Sequence, residues 1–377
     1  MTSRPVADFT SALYLGARAV PWPAGLPLTS GRPAALHEPA GHRWVAREVA
    51  RRQGLDAGVL APSSLHLFCD VLTLLPPRGA VLLDEGLYPV GRWGTLRALL
   101  QGRPVHAFDP DRPAALPRLL HRCAQQGLTP WLLTDGWRTP AHAPAPLARY
   151  QQLLRPFPGA VLLIDDTQAF GVLGTRPDDR QPLGYGGGGS LPWAGLRPPA
   201  AEGQGPQLLT VTSLGKGLGV PVAVLAGPAP LIAQYRRRSE VRVHTSPVSE
   251  LHAWAAAEAL HHDARCGSAA RQRLSGLVQL FRQTLAAGGL SAFGGPFPVQ
   301  TLRPVRASAA LALHQQLRQQ GHHALLLAGP RPDQPALAFC LRADHPPAAV
   351  QAAARAVVRL ARGTDWLLTP ANPLISP

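Results

Sequence analysis

Lysine is almost missing from this chain. One residue in 377, Lys216, is a lysine, and the other 36 of its 37 basic residues are arginine. Arginine has served wherever a fixed positive charge or a long stem was enough. An ammonium can shed its proton and become a nucleophilic amine, and a guanidinium cannot. The sole lysine therefore points to amine chemistry, whose main use is a Schiff base with a carbonyl. Pyridoxal 5'-phosphate is the commonest carbonyl cofactor to need one.

Other scarcities exclude further classes. The four cysteines, Cys69, Cys123, Cys266 and Cys340, form no CxxC pair. That excludes a metal knuckle or a redox motif, and no metal site is expected. No apolar run approaches the ~18 residues of a membrane span, and MTSRPVADFT has no apolar signal core. A soluble cytoplasmic protein with reduced thiols is expected, with no membrane partner. The net charge of +15 reads as arginine spread by compositional drift. No dense basic run is interleaved with aromatics, the nearest being Arg236–Arg238, so no nucleic-acid partner is expected.

Short apolar runs do occur, at 80–83, 130–134, 160–165, 207–212 and 222–227. Each is bounded by turn residues and apolar nearly throughout, the pattern of parallel strands covered on both faces. Amphipathic stretches at 113–127 and 146–157 separate them. Strand–helix alternation predicts an α/β fold. We read residues 1–45 as an N-terminal arm, 46–287 as a large α/β domain and 288–377 as a smaller α+β domain. Residues 176–206, with GYGGGGS at 184–190, are expected to be a flexible surface insertion with no strand before the glycines and no helix after them. Helices are expected at 249–264 and, separately, at 268–287.

Candidate site residues fall along these elements. Lys216 lies in TVTSLGKGLG, just after a strand and among small residues that let a bulky group approach the backbone. Asp165 ends AVLLID, at the strand end where open α/β sheets bind ligands. A carboxylate there can pair with a protonated pyridine nitrogen. Ser63 and Ser64 precede a helix, whose free N–H groups and positive end favour a phosphate. Tyr88 follows another strand and can stack on a flat ring. Thr139 follows a third and can bond a phenolic oxygen.

In order, DFTSALYLG, APSSLHLFCDVL, LDEGLYPVGRWG, TDGWRTPAHAPAPL, LLIDDTQAFGVLG, TSLGKGLG and VHTSPVSELHAWAAAEAL resemble successive motifs of the α-oxoamine synthase family. These are fold-type I pyridoxal-phosphate enzymes. The resemblance implies a mainly parallel sheet sandwiched by helices, with a smaller C-terminal α+β domain. It implies that Lys216 forms the Schiff base and later moves protons, and that Asp165 pairs with the pyridinium. Backbone N–H groups of Ser64 and Leu65, with the Ser213 hydroxyl, would hold the phosphate. Thr139 would contact the phenolic oxygen. Ser246 (or Thr245) would reach the phosphate of the neighbouring subunit, which makes a homodimer.

Departures from the family pattern are specific. Its ring-stacking His is Tyr88 here, and its second His is Gln168, which cannot shuttle protons near neutral pH. Its R-L-R-I segment, with the arginine that clamps a substrate carboxylate, aligns with Ala336–Phe339. Arg331 and Arg342 lie nearby as candidate replacements. The expected activity is decarboxylating condensation of an amino acid with an acyl thioester, carried by coenzyme A or acyl carrier protein. The alternatives are amino transfer from an amine and a non-catalytic scaffold relative.

Overall fold

The computed structural model describes residues 6–17, 19–20, 23–139, 141–199, 204–302, 307–327 and 335–361. They divide into two compact units. Unit 1 comprises residues up to 17, 179–183 and those from 269 onward; unit 2 comprises 18–178 and 184–268.

Unit 2 holds a seven-stranded sheet. In chain order its elements are α1 (Ala40–Gln53), β1 (Ala57–Ala61), α2 (Ser64–Val71), β2 (Gly79–Asp84), α3 (Pro89–Leu100) and β3 (Val105–Phe108). Next come α4 (Ala115–Gln126), β4 (Thr129–Asp135), α5 (Leu147–Leu154), β5 (Val161–Asp165), α6 (Ser190–Trp193), β6 (Gln207–Ser213) and β7 (Ala223–Gly227). Then follow α7 (Ala229–Arg238), α8 (Glu240–His244) and α9 (Glu250–Ala287), of which α9 supplies residues to both units. The strand order is β1-β7-β6-β5-β4-β2-β3. Strands β6, β5, β4, β2 and β3 are parallel, while β7 runs antiparallel to both β6 and β1.

The near-continuous apolar strands arise because both faces are covered. Along β4 and β5, Leu132, Leu162 and Ile164 face one core with residues of α1, α4, α5 and α9. Leu133 and Leu163, one residue along, face a second core with residues of α2, α3 and α7. Successive strand side chains point to opposite faces, so a two-sided strand needs apolar residues at every position. The expected mainly parallel sheet between helices is present, and of the five runs read as parallel strands only 222–227, as β7, runs antiparallel.

In unit 1, β8 (Val299–Leu302), β9 (Leu325–Leu327) and β10 (Ala336–Cys340) form an antiparallel sheet in the order β8-β10-β9. It is accompanied by α10 (Ala307–Gln319) and α11 (Pro347–Ala361). Phe9 and Tyr14 are buried in the same unit, Phe9 edge-on to Phe339 and Tyr14 to Phe297.

Three expectations are corrected. The helices predicted at 249–264 and 268–287 are one 38-residue helix, α9. Its Gly267 forfeits only about 1 kcal/mol relative to alanine, too little to break a helix held by packing on both sides. The glycine run is not a surface insertion. Gly184 and Gly187–Gly189 are buried, and α6 starts at the next residue. The run is stitched to the 171–175 turn by Gly171 N–H to Gly187 O, Gly189 N–H to Leu173 O and a Thr175–Tyr185 bridge. Finally, β1 and β3 add two strands to the five apolar runs expected, one at each edge of the sheet.

Candidate active site

Chain order and sheet order together locate the site. From β2 the chain steps outward to the edge strand β3, then returns across β2 to build β4, β5 and β6 on the other side. The reversal between β2 and β4 opens a crevice at the carboxyl ends of the parallel strands. Asp84, Asp135, Asp165 and Ser213 are the last residues of β2, β4, β5 and β6, and all four stand on that rim.

Asp165 is buried, 6% exposed. Its Oδ1 accepts the Thr167 N–H at 3.0 Å, and the Thr167 side chain bonds it as well. Thr167 Oγ1 also accepts the Ser213 N–H at 3.1 Å, which ties the tip of β5 to the tip of β6. Burial pushes the Asp165 carboxyl up, and the Thr167 bonds and the Lys216 charge pull it back. Lys216 follows three residues after β6, half-buried, in a turn where the Ser213 Oγ accepts the Gly215 N–H at 3.2 Å. Gly217 lets this turn close. A Cβ there would lie 2.3 Å from the Phe170 carbonyl oxygen, so no side chain fits beside the lysine.

The Lys216 Nζ sits over the Tyr88 ring, 5.5 Å from its centroid. Tyr88 is half-exposed and immediately precedes α3. Its N–H reaches Asp135 Oδ1 at 3.3 Å. Gln168 Nε2 donates to Thr139 Oγ1 at 3.3 Å. The structure thus brings together Lys216, Asp165, Tyr88 and Ser213 on one rim, and pairs Gln168 with Thr139.

Ser64 opens α2 behind an extended Ser63, and Ser63 Oγ is 2.8 Å from His66 Nδ1. The first-turn N–H groups, including those of Ser64 and Leu65, have no partner within the helix. Ser246 lies exposed between α8 and α9 and makes no hydrogen bond to the other candidates. Thr245 Oγ1 bonds the Val241 carbonyl instead. Arg342 belongs to unit 1, where its Nε donates to Asp344 Oδ1 at 2.9 Å. Arg331 lies outside the described residues.

Two residues of the site escaped the sequence reading. Asp135 ends its strand just as Asp165 does, but the Asp-Gly pair that follows reads as a turn. Thr167 gave no signal, because its role depends on β6 lying beside β5.

The rim offers a flat aromatic face, an amine, a buried carboxylate and free helix-terminal N–H groups. That donor set fits a planar, phosphate-bearing aldehyde with a basic ring nitrogen.

Residues 112–357 match the aminotransferase class I and II family. The chain belongs to this family. Within the class I and II aminotransferases, it is 27% identical over 329 residues to the 8-amino-7-oxononanoate synthase of Alkalilimnicola ehrlichii, covering 85% of this chain and 78% of the relative. Among solved structures, the serine palmitoyltransferase of Sphingomonas wittichii superposes with a TM-score of 0.79 at 16% identity, over 96% of this chain and 88% of that one. The 8-amino-7-oxononanoate synthase of Francisella tularensis gives 0.71 at 17% identity, over 95% and 98%. The fold is therefore the fold-type I α/β fold expected, and the chain is α-oxoamine synthase-like.

Proposed function

We propose that the chain is a pyridoxal 5'-phosphate-dependent transferase. It condenses an amino acid with an acyl thioester, forming an aminoketone and releasing CO2 and the free thiol. The observation that carries this reading is the position of the only lysine. Lys216 stands over Tyr88 and close enough to the strand-end Asp165 to draw that carboxyl toward its charged form. The relatives named 8-amino-7-oxononanoate synthase and serine palmitoyltransferase support the same reaction class.

When bound, the cofactor supplies an aldehyde for an amine and a ring that accepts the electron pair released at the amine's α-carbon. The chain's own residues do the rest. The Lys216 amine, beside the Tyr88 ring, is the group that would hold the aldehyde, and once free it would take up and return a proton at Nζ. The buried Asp165 carboxyl, held by Thr167, would pair with a protonated ring nitrogen and keep such a ring electron-poor. Tyr88 provides a flat face without the acid–base capacity of an imidazole. Gln168 Nε2 donates to the Thr139 hydroxyl and leaves that hydroxyl's proton for a phenolic oxygen it would contact. The Ser64 and Leu65 N–H groups bind the phosphate. The Ser213 hydroxyl joins them, because it accepts from Gly215 and keeps its own proton to donate.

Unit 2, residues 18–178 and 184–268, would be the cofactor-binding part, and unit 1, with residues up to 17, 179–183 and those from 269 onward, the smaller one. A homodimer supplies Ser246 to the neighbour's phosphate, and the arginine-rich surface suits an anionic acyl carrier. The protein acts in the cytoplasm. Among the described residues, no helix is long and apolar enough to cross a membrane.

A second reading, amino transfer, is favoured by β10. Ala336–Cys340 is apolar and buried throughout, so it offers no guanidinium to a substrate carboxylate, and Arg342 is committed to Asp344. An amine donor without a carboxylate needs neither. Product analysis separates the two. Thioester-dependent CO2 release from an amino acid supports condensation, and keto-acid consumption without thioester supports amino transfer. A colourless protein that takes up no cofactor rules out both and leaves the scaffold reading.

A further inference from the structure

β4 and β5 are parallel neighbours, and their last residues, Asp135 and Asp165, are register partners. Register partners in parallel strands point to the same face at the same height. Two carboxyls therefore stand side by side on a dry rim, 4% and 6% exposed. Two such groups cannot both ionise cheaply.

Their surroundings are unequal. Asp165 accepts two bonds from Thr167, through N–H and side chain. Asp135 accepts one longer bond, from the Tyr88 N–H at 3.3 Å. The Asp84 carboxyl also bears on Asp135. Hydrogen bonding thus favours the charge on Asp165, while Asp135 is left to hold Tyr88.

We propose that Asp135 is a positioning residue, one that pins the backbone of Tyr88 beneath the Lys216 amine and leaves the negative charge of the carboxyl pair on Asp165. This deepens the pyridoxal-phosphate reading and rests on it for its consequence, an anionic partner fixed where a ring nitrogen needs it. The titration directions agree. Burial, then the Asp165 charge, pushes Asp135 well above the usual carboxylate range, with Asp84 adding to the rise and the Lys216 ammonium opposing it. Asparagine imitates a neutral carboxyl, because it keeps an acceptor for the Tyr88 N–H and adds no charge.

Lys216 is the only lysine, so acylation of cofactor-free protein, read by peptide mass spectrometry across neutral to alkaline pH, reports one side-chain amine. Removing an adjacent anion lowers an ammonium's midpoint. Asp165→Asn is expected to raise Lys216 reactivity at neutral pH about tenfold, a shift of about one unit, while Asp135→Asn leaves it within about threefold. A shift in Asp135→Asn equal to that of Asp165→Asn overturns the charge assignment, and so does no shift in either. In the second arm, Asp135→Asn keeps its affinity for pyridoxal phosphate and Asp135→Ala loses about tenfold. Equal loss in both overturns the positioning role. If the native chain takes up no pyridoxal phosphate, the proposed function fails, and the amine titration still judges where the charge lies.

Discussion

Asp165 and Asp166 are adjacent in the chain and meet opposite fates. Both are buried at the tip of β5, and both carboxyls are pushed up by burial. Asp165 stands on the open rim within reach of the Lys216 charge. Asp166 turns into a closed polar knot. The Ser190 N–H reaches its Oδ1 at 3.1 Å, and Gln53 Nε2 reaches its Oδ2 at 3.1 Å. Gln53 in turn bonds Thr212 and Thr210. The glycine run seals the knot: a Cβ on Gly189 would lie 1.9 Å from Asp166 Oδ2. Burial does not separate the two carboxyls; their neighbours do, the Lys216 charge beside Asp165 and Gln53, Ser190 and Gly189 around Asp166.

The largest effect expected on this contrast is at the amine. Lys216→Arg keeps the charge and removes the nucleophile, so turnover falls roughly a thousandfold or more while the fold persists. Steady-state kinetics with circular dichroism checks both halves. Asp165→Asn is expected to lower kcat on the order of a hundredfold, whereas Asp166→Asn changes it by only about threefold. Comparable losses in the two variants would erase the distinction between rim and knot.

Asp166 has its own signature in stability. Burial lifts its carboxyl to about 7, against an unfolded value of 3.8. Between those values the folded state binds more protons than the unfolded one. Stability from this group is therefore fully present below the unfolded value and is lost as pH rises through about 7. A gap of about three units corresponds to about 4 kcal/mol. Urea unfolding of the native chain should weaken from mildly acidic to mildly alkaline pH, and Asp166→Asn should flatten that slope. An unchanged slope contradicts the assignment.

Gly189→Ala strikes the Asp166 knot from its glycine side. Gly189 has φ +94°, where alanine is strained, and its Cβ would strike the carboxylate. A loss of about 2–3 kcal/mol is expected in urea unfolding, with binding at the rim unchanged once folded. The smallest effect is at Thr167. Thr167→Val keeps the shape and removes the hydroxyl shared by Asp165 and Ser213, at about 1 kcal/mol of stability and about threefold in cofactor affinity.

Much of the rim was legible in the chain. The lone lysine announced the chemistry, and Asp165 was found because a carboxylate ends an apolar run. PWLLTD ends the same way, but the Asp-Gly pair that follows is equally compatible with a plain turn, so the sequence alone does not single out Asp135. Only the register of β4 against β5 shows that it is the partner of Asp165. The glycine run was misjudged for a related reason. Glycines signal flexibility locally, but here they permit close backbone approach to an aspartate 23 residues earlier in the chain (Gly189 to Asp166). Sequence periodicity reports which face an element buries, and it carries no record of which distant groups the empty side of a glycine will touch. The two helices expected at 249–264 and 268–287 are joined in α9 for the same reason: tertiary packing on the helix outweighs a local propensity.

The most direct test joins amine and aldehyde. Purified protein is incubated with pyridoxal phosphate, reduced with borohydride, digested and mapped by mass spectrometry. One pyridoxyl-lysine is expected, in the peptide containing Lys216, with loss of the near-visible band. An unmodified Lys216 in folded protein saturated with the aldehyde would contradict it.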